Sequence, residues 1–164
     1  MTLKHVTLIG TVVLSALITG CSDPNPERGQ LVELLPGITT VSAAAIDQSS
    51  TNAGLQPLVG ANAKCGVEIV PLHYYTTGVR GDLTTASGVM LIPRGADAAC
   101  KGPFPLLSYT RGTDIDKTRT LANPADAETG ALAAFFAAQG AIVVATDRKS
   151  TRLNSSHANI SYAV

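Results

Sequence analysis

The middle of the chain carries the clearest pattern of apolar and polar positions. Residues 67–77 and 84–93 contain many strand-forming residues. Residues 78–82 (GVRGD) separate the two runs and carry the glycines typical of a turn. This pattern predicts an antiparallel hairpin or meander. Residues 40–52 are small and compatible with a helix, which predicts a short helix before the strands.

The second half of the chain reads as strand, helix and strand. Residues 104–109 and 141–146 are short apolar runs of the buried-strand kind, and residues 128–139 between them are alanine-rich. Three apolar residues are expected to share one face of this helix: Leu132, Phe135 and Phe136. Gly140 supplies the helix-ending signal. We therefore expect a parallel βαβ unit with a right-handed crossover.

Residues 147–164 have neither helical nor strand periodicity. The stretch from residue 147 to residue 157 resembles, without a gap, the translation of a widely used sequencing-library adapter, and residues 160–164 resemble its continuation. We predict that this tail is adapter-derived and not native, and that the chain is an N-terminal fragment. The origin of Asp147 stays open, because a natural strand could also end in an aspartate there.

The N-terminus has the features of an export signal. Lys4 precedes an apolar stretch over residues 6–18, and small residues lead to Cys21. This order resembles the lipobox of bacterial lipoproteins, which implies that residues 1–20 are cleaved and that Cys21 is acylated. Ser22 stands where an aspartate would favour the inner membrane, so we expect anchoring at the periplasmic face of the outer membrane or at the cell surface. Residues 21–37 are predicted to be a tether.

Charge and composition remove several classes of function. The chain has no formal net charge, and residues 22–146 hold eight basic and eleven acidic residues, a net charge of −3. The sequence shows no basic patch of the kind that binds nucleic acid, so we expect no nucleic-acid partner. Nothing in the sequence points to a cofactor, and no Cys or His pair is spaced to complete a zinc site.

Two cysteines remain after the predicted acylation site. Cys65 and Cys100 are an even pair in a protein expected to meet an oxidising periplasm, which favours a disulfide. The bridge would close a loop of about 35 residues and stabilise the fold by a few kcal/mol. The alternative is two buried free thiols.

Several segments carry a family resemblance. The most specific are residues 105–113 (PLLSYTRGT) and 135–147 (FFAAQGAIVVATD), with shorter matches in residues 75–77, 85–88 and 92–93. Together they resemble the N-terminal part of bacterial secreted α/β-hydrolases, and most of all the secretory lipase and esterase group. The resemblance covers about residues 65–146. It implies an α/β class and an incomplete α/β-hydrolase fold over residues 38–146, with an antiparallel strand pair followed by the first parallel βαβ crossover.

The resemblance also implies part of an active site. Arg111, Gly112 and Thr113 follow an apolar strand, where relatives often have His-Gly-Thr, so Arg111 replaces the histidine. Backbone N–H groups fixed at such a strand end can stabilise the oxyanion of acyl transfer by about 3–4 kcal/mol per donor. Gly112 would let the backbone approach a substrate closely. The alternative is an ordinary strand-to-loop turn.

The remaining catalytic residues are not recognisable. The chain has no Gly-x-Ser-x-Gly elbow. Ser87 lies within a predicted strand and is expected to be structural, and His73 is expected to be a packed or surface strand residue. Asp114 and Asp116 are expected to be solvated loop charges. We therefore predict that no catalytic nucleophile, acid or base is present in this chain.

Three functions remain open. The first is the truncated front of a lipid-anchored serine hydrolase acting on carboxylic esters, inactive in the form given. The second is a non-enzymatic envelope lipoprotein that serves as a binding or scaffolding module. The third is a fragment of a peptidase of the prolyl-oligopeptidase type. If the chain is a fragment, we expect its last strand, residues 141–146, to expose an apolar parallel edge and the fragment to be unstable.

Overall fold

The computed structural model describes residues 26–78, 80–112, 116 and 118–147. Its strands are β1 (Leu31–Leu34), β2 (Thr39–Val41), β3 (Gly66–Thr77), β4 (Leu83–Arg94), β5 (Leu106–Thr110) and β6 (Ile142–Thr146). Its α-helices are α1 (Ala43–Asn52), α2 (Gln56–Val59) and α3 (Ala127–Phe135), with short 3₁₀ turns at Ala98–Cys100 and Ala137–Gln139. One mixed sheet has the order β1-β3-β4-β6-β5, and β2 also pairs with β3. The fold class is therefore α/β.

The predicted hairpin is confirmed. β3 and β4 pair antiparallel in an unbroken register from Gly66 opposite Arg94 to Thr77 opposite Leu83. The turn between them uses Gly81, whose φ of 81° lies in the left-handed region that glycine enters without steric cost.

The predicted βαβ unit is also confirmed, with two corrections. β5 and β6 pair in parallel, and α3 lies between them in the chain. The α-helix ends at Phe135, and Phe136 has φ of −126° and ψ of −58°, so it leaves the helical face and is 40% exposed while Leu132 is buried. The expected shared apolar face is therefore wrong for Phe136. The expected edge position is wrong as well, because β6 lies inside the sheet between β4 and β5.

The sheet begins earlier in the chain than the predicted tether allows. Leu31–Leu34 pairs antiparallel with β3, and just before it the Gly29 N–H donates to the Tyr75 carbonyl at 2.7 Å. Part of the predicted tether is therefore a strand, and the sheet begins before residue 38, where the sequence predicted the domain to begin. Residues 21–25 of that tether lie outside the described part. The helix predicted over residues 40–52 begins at Ala43, where the Ser42 hydroxyl accepts from a backbone N–H of the first turn.

One face of the sheet forms the core. Ile69, Leu91 and Val143 lie side by side on β3, β4 and β6, and each is at most 2% exposed. Ile46 from α1 and Leu132 from α3 complete the same buried cluster. Burial of such side chains stabilises the fold by about 1.5–3 kcal/mol each.

The opposite face of the sheet is also apolar, and on β4, β5 and β6 it is less covered than at Val70 and Leu72 of β3, which are buried. Met90, Val144 and Ile142 lie along it and are only half-buried, and Leu106 beside Ile142 is 63% exposed. Strands that are apolar on both faces are typical of sheets buried on both sides. Within the described residues, no strand pairs with the outer edge of β5.

The predicted disulfide is confirmed. The sulfur atoms of Cys65 and Cys100 are bonded at 2.04 Å, and both residues are buried. The bridge ties the start of β3 to the turn that follows β4, so the two cysteines are not free thiols. Among the described residues, no helix is long and apolar enough to span a membrane.

Candidate functional site

The carboxyl ends of two parallel strands meet at one edge of the sheet. Thr110 at the end of β5 lies opposite Thr146 at the end of β6. The segment Arg111–Gly112 follows the first strand and Asp147 follows the second. Ligands of open α/β sheets bind outside the carboxyl ends of the strands, so this edge is the candidate site.

Arg111 does not present its charge to solvent. The residue is 3% exposed, and its Nη2 lies 3.2 Å from Oε2 of Glu128. A buried guanidinium requires a charged partner, because an isolated ion is costly to remove from water. The backbone, rather than the side chain charge, is therefore the part of Arg111 that suits an oxyanion role.

Gly112, the next residue of the predicted oxyanion segment, is exposed. A Cβ added at Gly112 would meet no atom within 4 Å, so the space beside its backbone is open. The third candidate, Thr113, lies outside the described residues. The placement of Arg111 and Gly112 at a strand end agrees with the geometry that the oxyanion prediction requires, and the role itself stays a prediction.

The carboxylate of Glu128 contacts several residues around the segment Arg111–Gly112. Glu128 lies in the first turn of α3, and it accepts from Tyr109 Oη at 2.6 Å and from Arg119 Nη2 at 3.2 Å, in addition to Arg111. The hydrogen bond to Glu128 raises the pKa of Tyr109 above its ordinary value, and burial and the negative charge of Glu128 add to that rise. Glu128 therefore joins β5, the candidate segment and the following connection.

Asp126 fixes the helix that carries this carboxylate. Arg119 donates to Asp126 from Nε at 2.6 Å and from Nη2 at 3.2 Å. The Asp126 side chain also caps α3 by accepting from the backbone N–H groups of Glu128 and Thr129. The Arg119 hydrogen bond lowers the pKa of Asp126, helped by the two backbone N–H groups and opposed by burial.

Asp147 is built into the fold. It is 7% exposed, and its carboxylate accepts from Ser87 Oγ, Thr120 Oγ1 and the Leu121 N–H, each at 2.9 Å. Burial raises the pKa of Tyr74, and the negative charge of Asp147 raises it further. Asp147 therefore links β4, β6 and the connection that leads to α3.

The structure also places three other candidate residues, Ser87, His73 and Asp116. Ser87 lies on β4 and donates to Asp147, as expected of a structural serine. His73 is exposed on β3. Asp116 is exposed and accepts from the Thr118 hydroxyl and N–H, and these two hydrogen bonds lower its pKa. Cys21, His5, Asp114 and His157 lie outside the described residues. The described part holds no group of three residues suited to a metal ion.

Sequence reasoning missed the ionic cluster formed by Tyr109, Arg111, Arg119, Asp126 and Glu128. Its members are as much as 19 positions apart, and no local period connects them. The available signal was the Asp-x-Glu sequence at residues 126–128, because an aspartate before an alanine-rich run is typical of a helix N-cap.

Comparison with solved structures places the chain among bacterial hydrolases in fold. The chain is 31% identical to the rice cell wall degrading esterase LipA from Xanthomonas oryzae, with a TM-score of 0.58 over 74% of this chain and 29% of that one. A mutant of the same esterase is 33% identical, with a TM-score of 0.60 over the same shares. A hydrolase from Legionella pneumophila is 21% identical, with a TM-score of 0.61 over 72% of this chain and 30% of that one.

No family model and no curated protein matches the chain. The chain spans only 29% of the length of the LipA structures. The Legionella structure, at 21% identity, bears on the fold alone. The α/β fold class predicted from the family resemblance is confirmed, and the described strands are similar to part of a bacterial esterase.

Proposed function

We propose that this chain is the front part of a serine hydrolase that acts on carboxylic esters. The similarity to the esterase LipA carries the proposal, because 31% identity extends over 74% of this chain. The segment Arg111–Gly112 at the carboxyl end of β5 gives that similarity a chemical meaning. Fold alone does not imply function, so the strand-end site is the second support.

In this proposal the chain supplies one side of the oxyanion site. Attack of a serine on an ester carbonyl places negative charge on the former carbonyl oxygen, and backbone N–H groups of residues 111–113 stabilise that charge. In α/β-hydrolases the other donor follows the nucleophile on a later elbow. The nucleophile, the base and the acid would then be encoded beyond this chain. This chain alone would then be inactive.

The apolar face on the outer side of the sheet supports truncation. Met90, Ile142 and Val144 on that face are only half-buried, and Leu106 at the edge strand is largely exposed. A further strand beside β5 and a helical layer over this face would remove that surface from water. The coverage of 29% of LipA agrees with a chain that holds the first part of such a protein.

We also propose that the mature protein is exported and lipid-anchored through Cys21, at the periplasmic face of the outer membrane or at the cell surface. The lipobox-like order of residues 1–21 carries this part of the proposal. The Cys65–Cys100 disulfide supports export, because disulfides persist in oxidising compartments.

The test begins with sequencing the source locus across the codons for residues 141–164 and well downstream. We expect the reading frame to leave the adapter-like sequence and continue into a Gly-x-Ser-x-Gly elbow, with an acid and a histidine beyond it. The protein expressed from the complete locus should hydrolyse p-nitrophenyl esters, and replacing the elbow serine with alanine should abolish this activity. A locus that encodes residues 148–164 and then stops would overturn the hydrolase proposal and favour a non-enzymatic lipoprotein.

A further inference from the structure

We propose that Glu128 is a positioning residue that holds the segment Arg111–Gly112 at the end of β5. Its consequence for catalysis rests on the proposed function, since that segment is the candidate oxyanion donor. The structural part of the proposal stands on the geometry of Glu128 itself. Glu128 would not touch the substrate but would act through Arg111.

Three parts of the chain converge on the carboxylate of Glu128. Tyr109 reaches Glu128 from within β5, Arg111 reaches it from the candidate segment, and Arg119 reaches it from the connection to α3. Two of these donors flank Thr110, the last residue of β5. A contact on each side of the strand end restricts the path of the backbone as it enters Gly112.

Arg111 and Glu128 carry opposite charges, and the arginine is buried. The side chain of Arg111 is 3% exposed, and that of Glu128 is 23% exposed. Removing a negative partner of a buried cation is unfavourable, because the cation has lost its water and its remaining contacts compensate its charge less well. If Glu128 lost its charge, Arg111 would gain by turning towards water, and its backbone and that of Gly112 would move with it.

Glu128 is itself held in place by its neighbours. Asp126 caps α3 and accepts from the Glu128 N–H at 2.9 Å, and Arg119 bridges the Asp126 and Glu128 carboxylates. A residue on a capped helical turn is a more precise support than one on a loop. The capped first turn of α3 therefore fixes Glu128, and Glu128 in turn fixes the end of β5.

The experiment uses the protein expressed from its complete locus and the substitution Glu128→Gln, which keeps the side-chain shape and removes the charge. The matched control is Glu68→Gln. Glu68 also pairs with an arginine, Arg94, at 2.6 Å, but near the opposite end of the sheet. The backbone N–H order parameters of residues 110–112, from NMR relaxation, and the kcat and KM for a p-nitrophenyl ester are measured for both variants.

We expect Glu128→Gln to lower the backbone N–H order parameters of Arg111 and Gly112 by at least about 0.1, while the control leaves them unchanged. We expect kcat to fall by about 10- to 100-fold with KM within about twofold, because misplaced donors affect the transition state more than substrate binding. Unchanged order parameters at these two amides would overturn the positioning role, whatever the activity.

A double substitution separates positioning from general destabilisation. In Arg111→Met with Glu128→Gln, the buried cation is removed together with one of its partners, so this variant stays testable if the single variant does not fold. If Glu128 acts through Arg111, the loss in kcat for the double variant is no larger than for Arg111→Met alone, and a larger loss would contradict the proposal. If the unsubstituted protein hydrolyses no ester, the proposed function fails, while the order parameters still decide the positioning role.

Discussion

Replacing Asp147 with alanine is expected to detach the connection before α3 from the end of the sheet. The carboxylate accepts three hydrogen bonds, from Ser87 Oγ, Thr120 Oγ1 and the Leu121 N–H, each at 2.9 Å. Asp147 is 7% exposed and Leu121 has no exposed surface, so water cannot easily replace the lost acceptor.

The size of the effect follows from the donors that remain. A hydrogen bond to a charged group contributes about 1.5–3 kcal/mol, and a buried donor left without a partner costs about 1–3 kcal/mol. The Leu121 N–H is fixed by the backbone and bears the full cost, whereas the two hydroxyls can rotate towards other acceptors. We therefore expect Asp147→Ala to lower the free energy of unfolding by about 3–5 kcal/mol.

The isosteric change Asp147→Asn should cost less, about 1–2 kcal/mol. Its carbonyl oxygen can accept from the Leu121 N–H, and its amide can donate to the Ser87 and Thr120 hydroxyls, which also accept. A third variant, Asp82→Ala, replaces an exposed turn aspartate and should change the free energy of unfolding by no more than about 0.5 kcal/mol.

The assay is urea unfolding of the protein expressed from its complete locus, with the slopes of the transitions compared among the variants. Hydrogen exchange at the Leu121 amide gives a local reading of the same contact. If Asp147→Ala loses less than about 1 kcal/mol and leaves that exchange unchanged, the three hydrogen bonds do not act as a clamp and the reasoning is refuted.

Four further predictions concern Asp126, the disulfide, the isolated segment and the source locus. The pKa of the Asp126 carboxyl is below its ordinary value of 3.8. Its contribution to the free energy of unfolding is therefore complete above that ordinary value and is lost as the pH falls through the lower folded pKa. The pH dependence of the free energy of unfolding should therefore be weaker in Asp126→Asn. Reduction of the Cys65–Cys100 bridge should lower the free energy of unfolding by about 2–4 kcal/mol, and an unchanged transition in reductant would contradict this. The isolated 22–146 segment should show no cooperative thermal transition, because the β5 edge and the apolar outer face remain in water; a sharp calorimetric peak would argue against truncation. The source locus should encode an aspartate at position 147, since donors from two other parts of the chain converge there.

Local signals in the sequence predicted most of the secondary structure. β3 and β4 were predictable because strand-forming runs flank a glycine-containing turn, and the hairpin register follows from that turn. β5, α3 and β6 were predictable because two short apolar runs enclose an alanine-rich stretch that ends at a glycine. The disulfide followed from the number of cysteines and the export signal, which need no knowledge of distance.

Other local features were missed because their stability is not local. β1 is only four residues long, and its pattern resembles a tether until β3 supplies its hydrogen-bond partners. The place of β6 inside the sheet depends on its pairing with β4, more than 50 positions earlier in the chain. Phe136 left the predicted helical face because the helix ends one residue before it.

The sequence by itself therefore determined most of the elements, the turn between β3 and β4 and the residue types at the strand ends. Only the tertiary structure decided that Glu128 would meet Tyr109 and Arg111, and that Asp147 would meet Ser87, 60 positions away. The physical reason is that periodicity and propensity act over a few residues, whereas a buried charge selects its partners among whatever side chains the folded sheet brings within hydrogen-bonding distance.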